Sequence, residues 1–147
     1  MMLKKQMPGF SIMEIMIAVA IIGIMGALVG PKLVGYLGKA KKSATISTLA
    51  ALKGAMTEYN SDMGHFPTKA EGGINALVKQ PKGELAKKRW PGAYLETKDG
   101  ELPLDGWNNE FIYASPPVKY KQFKSFEIYS GGESNDPDAE NDLFVGA

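Results

Sequence analysis

The chain has 147 residues, enough for one domain plus an anchor segment, with 44% apolar and 22% charged residues and a net charge of +1. The near balance of 17 basic against 16 acidic residues excludes a nucleic-acid binder that works through a global basic field. With no cysteine and a single histidine, His65, the chain cannot build a disulfide scaffold, a thiol nucleophile, a cysteine–zinc site or a mechanism needing two imidazoles.

Residues 1–9 (MMLKKQMPG) are short and basic through Lys4 and Lys5. Positive charge ahead of an apolar span keeps that end cytoplasmic. Across residues 10–30 the sole charge is Glu14, and residues 15–30 are wholly apolar. With Glu14 counted inside it, the stretch reaches the roughly 20 residues that span a bilayer as helix. A secretory signal peptide is the alternative for such an N-terminus. The length of the run and the carboxylate near its start both count against it. Gly26 and Gly30 form a G-x-x-x-G pair of the kind that lets membrane helices approach closely, although glycine is common in such helices.

Beyond Pro31 the pattern turns amphipathic. Ile46, Leu49, Leu52, Met56, Tyr59 and Met63 recur at steps of three or four, which is one face of a helix, and Gly64 suits its C-terminus. The spacing predicts one helix over residues 10–63, roughly 80 Å long at 1.5 Å per residue. Its first half is apolar all round and its second half amphipathic. Gly30, Pro31, Gly35 and Gly38 predict a kink or a melted stretch in the middle. Residues 74–78 read as a short helix. Residues 111–114, 126–129 and 143–145 read as strands, with Pro116 and Pro117 between the first two. These loop-rich residues make a thin core alone. The expected fold class is therefore α+β, a long N-terminal helix with a small antiparallel β-sheet packed on its C-terminal half.

A carboxylate inside a membrane span is costly and reads as functional, which singles out Glu14; a glutamate at the headgroup edge is the plainer alternative. Ser134, Asp136, Asp138, Glu140 and Asp142 place an oxygen donor at every second residue. With the Gly131 carbonyl they make a hard-oxygen set suited to calcium, although the glycine and glutamate positions of an EF-hand are missing. A solvated acidic tail is the alternative. The lone His65 is weak support for a metal or catalytic role, and Trp90 and Trp107 read as packing anchors. No nucleophile–base arrangement, P-loop or dinucleotide fingerprint is present in the sequence.

Gly9-Phe10-Ser11-Ile12-Met13-Glu14, with the apolar run and Pro31 behind it, resembles the class III signal of type IV pilins and pseudopilins. Residues 59–68 (YNSDMGHFPT), 73–77 (GINAL), 90–95 (WPGAYL) and 103–109 (PLDGWNN) are similar to successive signatures of the major pseudopilin family, protein G of type II secretion systems. Residues 128–132 (IYSGG) and the acids after them resemble that family's calcium loop. Three departures stand out. Gly106 replaces the usual proline, Asn108 the usual glycine, and the calcium loop opens with Gly132-Glu133-Ser134-Asn135 rather than Gly-Ala-Asp-Gly.

The resemblance implies a leader over residues 1–9, cut after Gly9 by a prepilin peptidase that methylates the new N-terminus at Phe10. It implies a transmembrane and assembly segment over residues 10–38 and a periplasmic globular domain over residues 39–147. The protein would sit in the inner membrane as a single-pass chain, N-terminus cytoplasmic, and assemble with copies of itself into a periplasmic filament that drives protein export across the outer membrane. Further partners would be minor pseudopilins and inner-membrane secretion assembly proteins, with no nucleic acid and no enzymatic activity. The Phe10 α-amino group and Glu14 would then be the two charges of the apolar stretch, one helical turn apart. They pair within a subunit or between neighbours, and the resemblance favours the second, which would set axial register. The alternatives are the pilin of a surface pilus, disfavoured by the absent cysteine pair, and a monomeric membrane-anchored calcium-binding module.

Overall fold

The computed structural model describes residues 9–138 and 143–147. Helix α1 runs over Ile12–Met63, 52 residues, with Pro31 inside it. The melted stretch expected around residues 30–38 does not form. A proline withdraws one backbone donor, and the turns on either side keep theirs. The chain divides into two compact units, residues 1–38 and 39–147, and α1 contributes to each.

In the second unit, Leu49, Leu52, Met56, Tyr59 and Met63 of α1 are buried as the periodicity requires. Ile46 departs from the expectation: it is 48% exposed, whereas Thr45 is fully buried. The true stripe starts at Thr45 and alternates steps of four and three, as a straight seam along a helix does. A hydroxyl is tolerated there because both of its roles are filled. Thr45 Oγ1 donates to the Lys41 carbonyl at 2.9 Å and accepts from the Gly106 N–H at 2.9 Å.

That contact accounts for one departure from the family signature. Gly106 lies so close to α1 that a Cβ would fall 2.2 Å from the Lys41 carbonyl oxygen. A proline would have neither the room nor the N–H that Thr45 accepts. Asn108 sits at φ 69°, in the left-handed region where glycine is usual and asparagine is the best-tolerated substitute.

After α1 the chain makes two 3-10 turns, Lys69–Glu71 and Gly73–Leu77. The second stands where residues 74–78 were expected to be a short helix, and it turns Ile74, Ala76 and Leu77 into the core. A six-residue helix α2, Glu84–Arg89, was not expected. It is too short for hydrophobic periodicity to register. Strands β1 (Ile112–Ala114), β2 (Glu127–Tyr129) and β3 (Phe144–Gly146) form an antiparallel sheet in the order β1-β2-β3. Tyr113 pairs with Ile128, and Ile128 with Val145.

Every residue of β2 is buried, which a strand with one solvated face would not show. Ile128 belongs to the core cluster with Leu49, Leu52, Met56, Leu77, Phe126 and Leu143. Around the opposite face lies the loop between β1 and β2. Tyr120 stacks on Phe144 at 4.1 Å and meets Tyr129 edge-on at 5.5 Å. The loop is pinned by Glu127, whose carboxylate accepts the N–H groups of Val118 and Lys119 at 2.9 Å each and of Tyr120 at 2.6 Å. The carboxylate is buried yet fully used.

Thr45→Val removes the acceptor for a close-packed amide at nearly constant volume. It should destabilise the globular unit by about 1–3 kcal/mol, because the Gly106 N–H is left unpaired. Thr45→Ser should stay within about 1 kcal/mol of the parent. Urea unfolding followed by tryptophan fluorescence measures both, and an unchanged midpoint for Thr45→Val would remove this contact from the account.

Candidate functional site

At the N-terminus, Ser11 caps α1. Its hydroxyl accepts the Met13 N–H at 3.3 Å, and its carbonyl accepts the Ile15 N–H at 3.2 Å. Gly9 and Phe10 precede the helix, exposed and outside regular structure. Residues 1–8, which the sequence reads as most of a leader, lie outside the described residues. Glu14 falls in the first turn of α1, where a carboxylate complements the positive end of the helix dipole. Ser11-x-x-Glu14 has the spacing of a capping box, a local signal the family motif had concealed.

The apolar side chains of this segment are largely uncovered among the described residues. Phe10, Ile12, Ile22, Val34 and Leu37 are all more than half exposed, as are most of their neighbours. Among the described residues, α1 is the one helix long and apolar enough to cross a membrane. A Cβ added at Gly26 or Gly30 would meet nothing within 4 Å among the described residues.

The acidic loop is built on the end of β2. Asp105, buried, accepts the N–H groups of Trp107 and Asn109 at 2.9 and 2.8 Å with one oxygen and the Ser130 hydroxyl at 2.5 Å with the other. Asn109 Nδ2 reaches the Gly132 carbonyl at 3.2 Å. Residues 103–109 are thus a brace under the loop. Gly131 opens a turn so tight that a Cβ would lie 2.8 Å from the Asn135 carbonyl carbon, and a 3-10 turn follows over Gly132–Ser134. Ser134 Oγ faces the Gly131 carbonyl at 3.4 Å, and Asp136 Oδ1 accepts the Asp138 N–H at 2.9 Å.

Gly131, Ser134, Asp136 and Asp138 are therefore brought to one loop, with Ser134, Asp136 and Asp138 exposed on it. Asp142 and Glu140 lie outside the described residues. Among the described residues no three His, Asp or Glu side chains converge as a metal cluster. The oxygen donors and the tight turn suit calcium in kind, while the carboxylates that would close such a site lie partly outside the described residues.

Lys119 was not singled out by the sequence. Its Nζ donates to the Pro137 carbonyl and stands 5.0 Å from the Tyr129 ring centroid and 5.4 Å from that of Tyr120. Burial, with the Glu127 and Asp138 carboxylates adding to it, pushes the Tyr129 phenol above its ordinary value.

His65 is structural. Its Nε2 contacts Glu71 Oε1 at 2.9 Å and its Nδ1 the Met63 carbonyl at 3.1 Å, closing the turn after α1. Burial alone would raise the Glu71 carboxyl. Hydrogen bonds from the Thr68 N–H and hydroxyl and from His65 outweigh it and hold the group below its ordinary value. Trp90 and Trp107 pack against the core, as expected of anchors.

Comparison with known proteins follows this geometry. The family described as Type II secretion system (T2SS), protein G matches residues 32–145. The type II secretion system core protein G of Klebsiella pneumoniae is 34% identical over 92% of this chain and 91% of that protein. The one from Pseudomonas aeruginosa is 33% identical over 99% of this chain and 97% of that protein. The crystal structure of the major pseudopilin from the type 2 secretion system of enterohaemorrhagic Escherichia coli superposes with a TM-score of 0.58 at 26% identity, covering 78% of this chain and 92% of that one. Its pilin-like fold, a long N-terminal helix bearing a small antiparallel sheet, is the fold found here. Because the family match spans most of the chain and both relatives exceed 30% identity over nine-tenths of it, the chain belongs to the type II secretion system protein G family.

Proposed function

We propose that this protein is the structural subunit of a type II secretion pseudopilus. The single observation that carries this is the pairing of a globular unit that closes its own core with a helical segment whose apolar side chains are uncovered all round. A bilayer covers such a segment before assembly and neighbouring copies cover it afterwards, so burial of the same surface serves both states. Contacts between different faces of identical subunits do not close, and they propagate as a helical filament.

In this reading a prepilin peptidase cuts after Gly9 and methylates Phe10. The chain waits in the inner membrane with residues 39–147 in the periplasm, and the filament grows with minor pseudopilins and inner-membrane assembly proteins. Its extension drives protein export across the outer membrane, and no enzymatic step is required of the chain. Family membership favours this over a surface pilus. Family membership likewise favours it over a monomeric anchored module.

The mature chain should begin at methylated Phe10. Mass spectrometry of the assembled material checks this, and an intact Met1 there would overturn the assignment.

Glu14 supplies register. A carboxylate placed in hydrocarbon costs on the order of 2–3 kcal/mol near the bilayer centre. Packing that leaves it beside the neighbour's α-amino group is therefore selected over packing shifted by a turn. Glu14→Ala should leave the globular unit folded and reduce filament yield and secretion severalfold, while Glu14→Asp should restore part of both. Wild-type secretion by Glu14→Ala would remove the register role.

We also infer that the acidic loop takes calcium, through the Gly131 carbonyl, Ser134, Asp136 and Asp138, with Asp142 added from the sequence. Calcium would draw these oxygens together and staple a domain that has no disulfide. At a hundredfold excess over its dissociation constant the ion should stabilise the folded unit by about 2.7 kcal/mol. Melting should rise in calcium and not in equal magnesium, which demands a tighter octahedron. Equal melting in calcium, magnesium and chelator would make the acids a solvated tail.

A further inference from the structure

Lys119 stands out as the cation that the fold delivers to the acidic loop. Its backbone is fixed from below, since its N–H is one of the three amides held by the buried Glu127 carboxylate. Its half-buried stem crosses the aromatic pair Tyr120 and Tyr129, with Nζ 5.4 and 5.0 Å from the two ring centroids. Its ammonium ends on the Pro137 carbonyl, between Asp136 and Asp138 in sequence. The Asp138 carboxylate also acts on the Tyr129 phenol, so the ammonium, the tyrosine and the acidic loop share one neighbourhood. A lysine held over aromatic faces and hydrogen-bonded to a backbone carbonyl is oriented, and orientation is what separates it from a lysine drifting over an acidic surface.

We propose that the Lys119 ammonium is the resident cation of the loop at residues 131–138, holding it closed in the metal-free chain, so that calcium enters by displacing it. A point charge on a backbone carbonyl of the acidic loop does part of what a divalent ion does there, with a single charge and fewer bonds. The loop then has two closed forms rather than one closed and one open form. Calcium affinity is lowered by the fraction of chains in which the lysine is already seated. The displacement half of the proposal rests on the calcium reading above; the metal-free half does not.

The test uses the full processed chain in detergent micelles, as wild type, Lys119→Met and Lys119→Arg. Methionine keeps an unbranched stem for the aromatic faces and leaves the backbone amide on Glu127, while arginine keeps the charge. With chelator present, Lys119→Met should melt about 5 °C lower than wild type and Lys119→Arg close to it. Titration with calcium chloride should show about tenfold tighter binding by Lys119→Met.

Wild-type melting of Lys119→Met in chelator overturns the proposal. Equal losses in Lys119→Met and Lys119→Arg also overturn it, because packing rather than charge would then be responsible. Calcium binding of equal strength in all three chains overturns the displacement. Binding by none of them ends the calcium reading and leaves the chelator melts to decide the lysine's role. If Lys119→Met does not fold in chelator, refolding on addition of calcium but not magnesium supports the proposal, and failure to refold overturns it.

Discussion

More apolar helix surface is built into this chain than the chain can bury. The second half of α1 satisfies one face against Leu77, Phe126, Ile128 and Leu143. The first half, from Ile12 to Leu37, keeps its apolar side chains uncovered. Hydrophobic burial scales with area removed from water, about 25 cal/mol per Å², and so many exposed aliphatic side chains cannot remain in water. Membrane residence and polymerisation are two answers to that one constraint, and family membership places the chain where both are available.

Within the globular unit the loops are held by buried polar atoms. Three anchors recur with one logic, a side-chain oxygen buried beneath a loop and accepting its backbone amides. Thr45 holds Gly106, Asp105 holds Trp107 and Asn109, and Glu127 holds Val118, Lys119 and Tyr120. A domain of this size with few regular elements and no disulfide has little spare apolar area for tying down loops. Backbone amides satisfied by a fixed oxygen order a loop with almost no area, and an unsatisfied amide penalises every alternative. The anchors are also chained together. Asp105 bonds Ser130, and Ser130 Oγ in turn accepts the Gly132 N–H at 2.9 Å, so the segment seated against α1 is continuous with the foundation of the acidic loop.

The departures from the family signature lie along that chain of contacts. Gly106 in place of proline supplies an N–H to Thr45, and Asn108 takes the left-handed conformation that glycine usually fills. Both substitutions lie in the brace under the acidic loop. The third departure, at Ser134, lies in the loop itself.

The sequence by itself determined the elements whose signals are periodic or compositional. The helix ending at Met63, the three strands within a residue or two, the antiparallel α+β class and the apolar segment were all legible, because 3.6- and 2-residue periods and long apolar runs are local properties. A contiguous motif is also what singles out the Gly9–Phe10 junction and Glu14, whose roles belong to the proposed function. The tertiary structure decided the rest. It exchanged Ile46 for Thr45 at the top of the core stripe, since hydrophobicity does not reveal that a hydroxyl will meet an amide from Gly106, far along the chain. It turned Glu127 from an acid in a strand into the anchor of a loop, and it brought Lys119 to Pro137. Each of these pairs residues distant in sequence through atoms whose role depends on direction, and no one-dimensional pattern records where a hydrogen bond will point.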